Sequence, residues 1–317
     1  MNIKLDIPEN FYYGEERCGY YVSPEMKRVW AVELDLIAEF ARVCEKYNIK
    51  WYADSGTLLG AARHKGFIPW DDDVDLAVMR EDYNKLLDVA DKEFKQPYAL
   101  ITAKTHERGR LLSFAKLCNE ETTIIEGRTR LLMDSGIKNL NFSQGIFIDI
   151  FPLDNIPDDR EAALKFINKS DKFSLKTEKI LKLTDLYIPS PNLLKRPMKY
   201  IISRLLSKYD YGHKTLAKFI DIITSYKDFN SEYVAKLVCL WEADFLSRMV
   251  LERSEFDNPV YLSFETLNIP APSGWEKILN KYYGDWHKYY IRERHGNFYD
   301  TEHSYKYYTE EGHPIDK

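Results

Sequence analysis

The chain has 317 residues, 44% of them hydrophobic, which suffices for one large or two modest globular domains with a sizeable core. A net charge of −5 argues against nucleic acid as the main partner, because backbone binding needs clustered positive charge. Four widely separated cysteines, Cys18, Cys44, Cys118 and Cys239, form no C-x-x-C pair or zinc-knuckle spacing and read as buried or free thiols in a reducing compartment.

The N-terminus, MNIKLDIPENFYYGEER, has neither the basic start nor the apolar centre of a secretion signal, and no apolar run reaches the roughly 18 residues of a membrane span. A cytoplasmic protein is expected. Ser23-Pro24 then reads as an N-cap and first helical position, followed by Val29, Val32, Leu36, Phe40, Val43 and Tyr47 at helical spacing. Residues 49–53 read as a strand, 58–63 as a short helix, 74–78 as a second strand and 81–94 as a helix. Further strands are expected at 98–103, 111–117, 122–126 and 146–151. From Asp158 the pattern turns helical and basic, with eleven Lys or Arg against three Asp or Glu between 172 and 218. Such amphipathic helices suit a solvated face, an anionic glycan or peripheral contact with an anionic membrane. The chain returns through 261–269 to a helix over Trp275–Tyr283 that Gly284 ends. His287, His295 and His303 recur every eight residues, which does not match a helical zinc site. This order predicts an α/β (α+β) fold with a mixed sheet and flanking helices. The expected organisation is a core over 20–157, a basic helical region over 158–255 and a C-terminal segment over 256–317 that packs on the core.

The chemistry concentrates between Trp51 and Met79. A Ser55-Gly56-Thr57 turn follows an apolar run, and Asp73 and Asp75 open a second apolar run in which residues two apart share a strand face. Carboxylates abutting a buried strand repel one another unless a cation neutralises them. Asp149 is the one ionisable residue in the run GIFIDIF and requires a charged or hydrogen-bonding partner. If the two strands are neighbours, Asp73, Asp75 and Asp149 form a carboxylate triad suited to Mg²⁺, with Mn²⁺ as the alternative, for phosphoryl transfer.

A Gly-Ser/Thr turn, a short helix, a D-x-D strand and a later strand acid are the layout of nucleotidyltransferase-fold enzymes. More specifically, DSGTLLGAARHKGFIPWDDDVDLAVMREDY at Asp54–Tyr83, FAKLCNEETTIIE at Phe114–Glu126, GIFIDIFPLD at Gly145–Asp154 and ILNKYYGDW at Ile278–Trp286 resemble the LicD family of phosphocholine transferases, to which fukutin is related. The stretch between about 160 and 250 matches poorly. The resemblance implies a Mg²⁺-dependent transfer of a phospho-substituent from a CDP-linked donor such as CDP-choline to a hydroxyl of a cell-surface glycan precursor, possibly lipid-linked, with release of CMP. The substituent is open among choline, ethanolamine, glycerol and ribitol. Asp73, Asp75 and Asp149 take the metal and catalytic positions. Gly56 and Thr57 lie at a helix start where phosphate binds well. Arg63, His64 and Lys116 are candidate contacts to phosphate oxygens. Three alternatives stay open: transfer of a nucleoside monophosphate with pyrophosphate release, a D-x-D glycosyltransferase, and a non-catalytic Ca²⁺-dependent glycan-binding module.

Overall fold

The computed structural model describes residues 2–103, 112–126, 145–184, 193–239, 248–292 and 297–311, with 313 and 315. Among these, the mixed α/β architecture is present, with eight α-helices and a central seven-stranded sheet. Two strands at the start, β1 (Glu15–Arg17) and β2 (Tyr20–Val22), form a hairpin. There follow α1 (Pro24–Lys46), β3 (Trp51–Ala53), α2 (Ser55–His64), β4 (Asp75–Met79), α3 (Arg80–Glu93), β5 (Tyr98–Ile101), β6 (Ala115–Asn119), β7 (Thr123–Ile125) and β8 (Ile146–Ile156). Next come α4 (Arg160–Leu181), α5 (Arg196–Lys208), α6 (Tyr211–Ile223), β9 (Tyr233–Ala235) and β10 (Val250–Glu252). The chain closes through β11 (Val260–Phe264), β12 (Leu267–Ala271), α7 (Trp275–Tyr283), β13 (Phe298–Asp300) and α8 (Tyr305–Thr309). The expected strand start at Leu111, and His295, lie outside the described residues.

The hub of the sheet is β8, which pairs in parallel with β4 and antiparallel with β6 and β9. The sequence predicts a strand ending at Phe151, before Pro152, but β8 continues to Ile156. The register explains why. The N–H of Asp149 bonds the Val74 carbonyl on the β4 side, so alternate residues 150, 152 and 154 direct their backbone groups to the other edge. On that edge β6 pairs as far as Ile150 and β9 begins at Asp154, so Pro152 falls in the gap where no donor is needed. Strands β9 and β10, from within the basic stretch 158–255, extend the same sheet.

Helix α1 begins as its sequence predicts: the Ser23 hydroxyl accepts from the Met26 N–H, and Pro24 opens the first turn. Its stripe of Val29, Val32, Leu36, Phe40 and Val43 is buried on the sheet. Each such side chain contributes about 1.5–3 kcal/mol by leaving water. The far end of α1 is fastened by Glu93, the last residue of α3. Its carboxylate accepts from Lys46 Nζ at 2.8 and 2.9 Å and from the Tyr47 hydroxyl at 2.7 Å. The hydrogen bonds from Lys46 and then Tyr47 hold its carboxyl down at about 2, against the opposing effect of burial. A depressed carboxyl favours the folded state above its unfolded value near 4.3 and loses that effect as pH falls through about 2. Glu93→Gln should therefore lower the urea midpoint at pH 7, and the gap to wild type should close as both are acidified. An undiminished gap at the acid end would contradict this role for Glu93.

Beyond the sheet, α4 and α6 pack together, and α5 attaches to α6. Helix α7 spans the predicted residues and ends at Gly284, whose φ is +67°. The four cysteines are free thiols, with Cys18 exposed and the others buried, as expected. Among the described residues no helix is long and apolar enough to cross a membrane.

Candidate active site

Strand register assembles the charged groups. Asp75 on β4 is level with Asp149 on β8, and Asp149 is level with Lys116 on β6. Because the Asp149 N–H points to β4, the Lys116–Asp149 pair is of the non-hydrogen-bonded antiparallel kind, in which side chains approach closely. Lys116 Nζ lies 3.1 Å from Asp149 Oδ1 and over the Phe147 ring at 3.3 Å. On the other side of β4, the Asp54 N–H bonds the Asp75 carbonyl at 3.0 Å. Lys116, Asp149, Asp75 and Asp54 thus stand in one row across four strands, counting Asp54 at the end of β3.

Asp73 is not on the strand. β4 begins at Asp75, so Asp73 stands in the preceding loop, where its carboxyl shares a hydrogen bond with Asp71. Asp73 is exposed and Asp75 half-buried by surface area, yet protein displaces most of the water around both carboxyls. That desolvation, reinforced by Asp71 and Asp149, raises Asp73 to about 8. Asp75 is pushed well above the carboxylate range, by burial first and then by Asp73, with Lys236 opposing. Burial raises Asp71 to about 6 and also raises Asp149, which Lys116 partly restrains. Glu33, buried in α1 beneath Asp72 and Asp73, is raised well above its usual value by burial and by these acids. Burial, and then crowding among acids with few cations nearby, thus disfavours the ionised forms of this cluster.

The start of α2 is fixed by two contacts. Thr57 Oγ1 accepts from the Asp75 N–H at 2.8 Å, tying the helix start to the strand that bears the acids. Lys236, buried just after β9, places Nζ 2.5 Å from Asp54 Oδ2 and donates to Ser55 Oγ at 2.8 Å. Ser55 opens the helix at φ +46°, a left-handed conformation that a non-glycine residue adopts only when surrounding contacts hold it. Burial would lower the Lys236 ammonium, but Asp54, followed by Tyr282, Cys239 and Asp75, keeps it well above its ordinary range. A Cβ at Gly56 would lie 3.0 Å from Asp71 Oδ2, so glycine lets the helix start approach that carboxylate.

A cavity of about 540 Å³ opens beside this row, lined among others by Gly56, Arg63, Asp71, Tyr283, Trp286 and Tyr289. Arg63 Nη1 donates to the carbonyls of Trp286 at 2.9 Å and Lys288 at 3.2 Å, so it holds the segment after α7 against α2. His64 accepts from Arg63 Nε at its Nε2, 2.9 Å away. Burial, then Arg63 and Arg17, lowers His64 to about 4. The fold also brings Cys18 Sγ within 3.6 Å of His64 Nδ1. With Nε2 accepting from Arg63, Nδ1 carries the proton and faces the sulfur as a donor, so His64 is not placed to deprotonate that thiol. His287 stacks on Trp286 and His303 bonds Asp300, which accounts for both as packing residues.

The row thus joins Asp75, Asp149 and Lys116, with Asp73 beside them and Gly56 and Thr57 at the adjoining helix start. Arg63 and His64 stand one cavity wall away. Asp54, Asp71 and Lys236 were not among the residues inferred from sequence. Lys236 had a signal: it is the lone charge in Val234-Ala235-Lys236-Leu237-Val238, the same pattern that exposes Asp149 and Lys116.

A carboxylate row on a mixed sheet beside a Gly-Thr helix start is the layout of nucleotidyltransferase-type enzymes. Residues 48–190 match the LicD/FKTN/FKRP nucleotidyltransferase domain, so the chain carries a domain of that family and is an enzyme of the LicD type. It is similar to the lipopolysaccharide cholinephosphotransferase LicD of Haemophilus influenzae, 28% identical over 80% of this chain and 88% of that protein. Shorter stretches match an uncharacterised protein of Rickettsia prowazekii, 51% identical over 15% of this chain and 18% of that one. The ribitol 5-phosphate transferase FKRP of Mus musculus is 50% identical over 13% of this chain and 8% of its own length.

Proposed function

We propose that this chain transfers a phospho-substituent, phosphocholine or a chemical relative of it, from a CDP-linked donor to a sugar hydroxyl of a cell-surface glycan precursor, releasing CMP. The observation that carries the reading is the register aligning Asp75 and Asp149 on adjacent parallel strands, with Asp73 alongside. The similarity to a lipopolysaccharide cholinephosphotransferase supports the substrate class.

Asp73, Asp75 and Asp149 would hold Mg²⁺, or Mn²⁺, through hard carboxylate oxygens. Among the described residues no group of three potential ligands is already arranged around one point, so side-chain rotation belongs to the proposal. The donor set fits chemically, since these crowded, desolvated carboxyls resist ionising alone and a divalent cation would favour their ionised form. Bound there, such an ion supplies charge neutralisation at the donor's diphosphate. The chain's own groups do the rest. Thr57 fixes Asp75 through its backbone, and Lys236 and Ser55 hold the helix start whose N–H groups favour a phosphate. Arg63, Lys288 and Arg292 bring positive charge to the aromatic cavity, which suits the donor's nucleotide. Asp149, oriented by Lys116 at 3.1 Å, either completes that metal site or accepts the proton of the attacking hydroxyl. Attack is direct and in line, because His64 is not placed to activate Cys18 as a nucleophile.

The test is to incubate purified protein and Mg²⁺ with CDP-choline, CDP-ethanolamine, CDP-glycerol and CDP-ribitol, and separately with CTP. CMP release from one of the four is expected. Turnover of CTP to pyrophosphate, with the CDP-linked compounds inert, would favour nucleotidyl transfer instead.

A further inference from the structure

Helix α5 displays its apolar side chains outward. Of its described residues only Ser203 is buried. Met198, Ile201, Ile202 and Leu205 are 60%, 58%, 41% and 53% exposed, and Tyr209, just past its end, is 64% exposed. At 100° per residue these five side chains fall within a sector about 100° wide, a continuous stripe along a helix about 20 Å long. Lys195 borders the stripe on one flank, and Arg204 and Lys208 border it on the other. Residues 195–209 include five Lys or Arg and no Asp or Glu. The helix packs on α6, which in turn packs on α4.

We propose that α5 is a membrane-docking helix that lies in the surface plane of an anionic lipid bilayer, with its apolar stripe among the acyl chains and its cations at head-group level. A large exposed apolar patch marks an interaction surface. The occupant follows from charge and shape. Cations on both margins of an unbroken stripe match a negatively charged surface that takes up apolar side chains along the whole helix, and long basic side chains reach back from the stripe to the head groups. The positive stretch stands out against a chain whose net charge is −5. This surface would hold the enzyme where lipid-linked acceptors reside, but its existence does not depend on the transfer reaction.

The test is cosedimentation of the full chain with vesicles of phosphatidylglycerol and phosphatidylcholine, compared with phosphatidylcholine alone, at low and high salt. Wild type should sediment with the anionic vesicles at low salt and be partly released at high salt. Lys195→Glu/Arg204→Glu/Lys208→Glu should weaken that binding by well over tenfold. Ile201→Asp/Leu205→Asp should abolish it at either salt. These positions are exposed at the surface, and thermal melting checks that each variant folds; if the apolar variant does not, the charge variant decides. Failure of wild type to sediment, or charge-reversed protein that binds as well as wild type, overturns the proposal. A dimer in light scattering that Ile201→Asp/Leu205→Asp splits, without vesicle binding, would identify the stripe as a self-association surface and equally overturn it.

Discussion

Asp75→Asn should reduce turnover of a CDP-linked donor to below about one hundredth of the wild-type rate, with the fold retained. The carboxyl of Asp75 belongs to a mutually repelling set, so an uncharged isostere removes repulsion without opening a cavity. Its backbone N–H still bonds Thr57, and the ladder to β8 is untouched. Stability of the metal-free protein should therefore be unchanged or slightly raised. Asp73→Asn should behave alike, from its loop position. Thermal melting reports the fold, and initial rates at saturating Mg²⁺ report the site. A variant melting like wild type and retaining full activity would remove these acids from the catalytic machinery.

Lys236→Met should have the largest effect on stability. Both Lys236 and its partner Asp54 are almost wholly buried, and the substitution leaves the Asp54 carboxylate without its cation. Breaking a buried pair from one side costs about 3–5 kcal/mol, whereas replacing both charges is far milder. Asp54→Asn/Lys236→Met should thus recover much of the lost stability in urea denaturation. Activity should not recover with it, because the Ser55 hydroxyl loses its donor and the strained start of α2 is no longer held. If the single variant is as stable as wild type, the pair does not anchor the turn. If the double variant is fully active, the anchoring is dispensable for the reaction.

Much of the sheet and its site can be read from residues two or three apart. Ser23-Pro24 announces α1, Trp275–Tyr283 is a helix end to end, and the isolated charges Asp149 and Lys116 mark strands that meet. Two features escape such reading because tertiary pairing decides them. Asp73 and Asp75 have the spacing of strand neighbours, but pairing begins only at Asp75, leaving Asp73 free to approach Asp71. Pro152 reads as a strand terminator, yet it falls opposite an unpaired edge and the strand runs on. Lys236 reaches Ser55 across 181 residues, a contact no local pattern specifies, although its charge in an apolar run was visible. The outward stripe of α5 is similar: periodicity finds an amphipathic helix, and only burial tells that its apolar side faces away from the core.

The central claim is that the carboxylate row catalyses displacement at the phosphorus nearest the donor's head group. Phosphorus-31 NMR of CDP-choline with Mg²⁺, a hydroxylated glycan acceptor and either wild type or Asp75→Asn tests it directly. The wild-type reaction should replace the diphosphate signals with those of CMP and a new phosphodiester, while Asp75→Asn leaves the diphosphate intact. A cytidylylated acceptor with free phosphocholine, or equal conversion by both proteins, would contradict it.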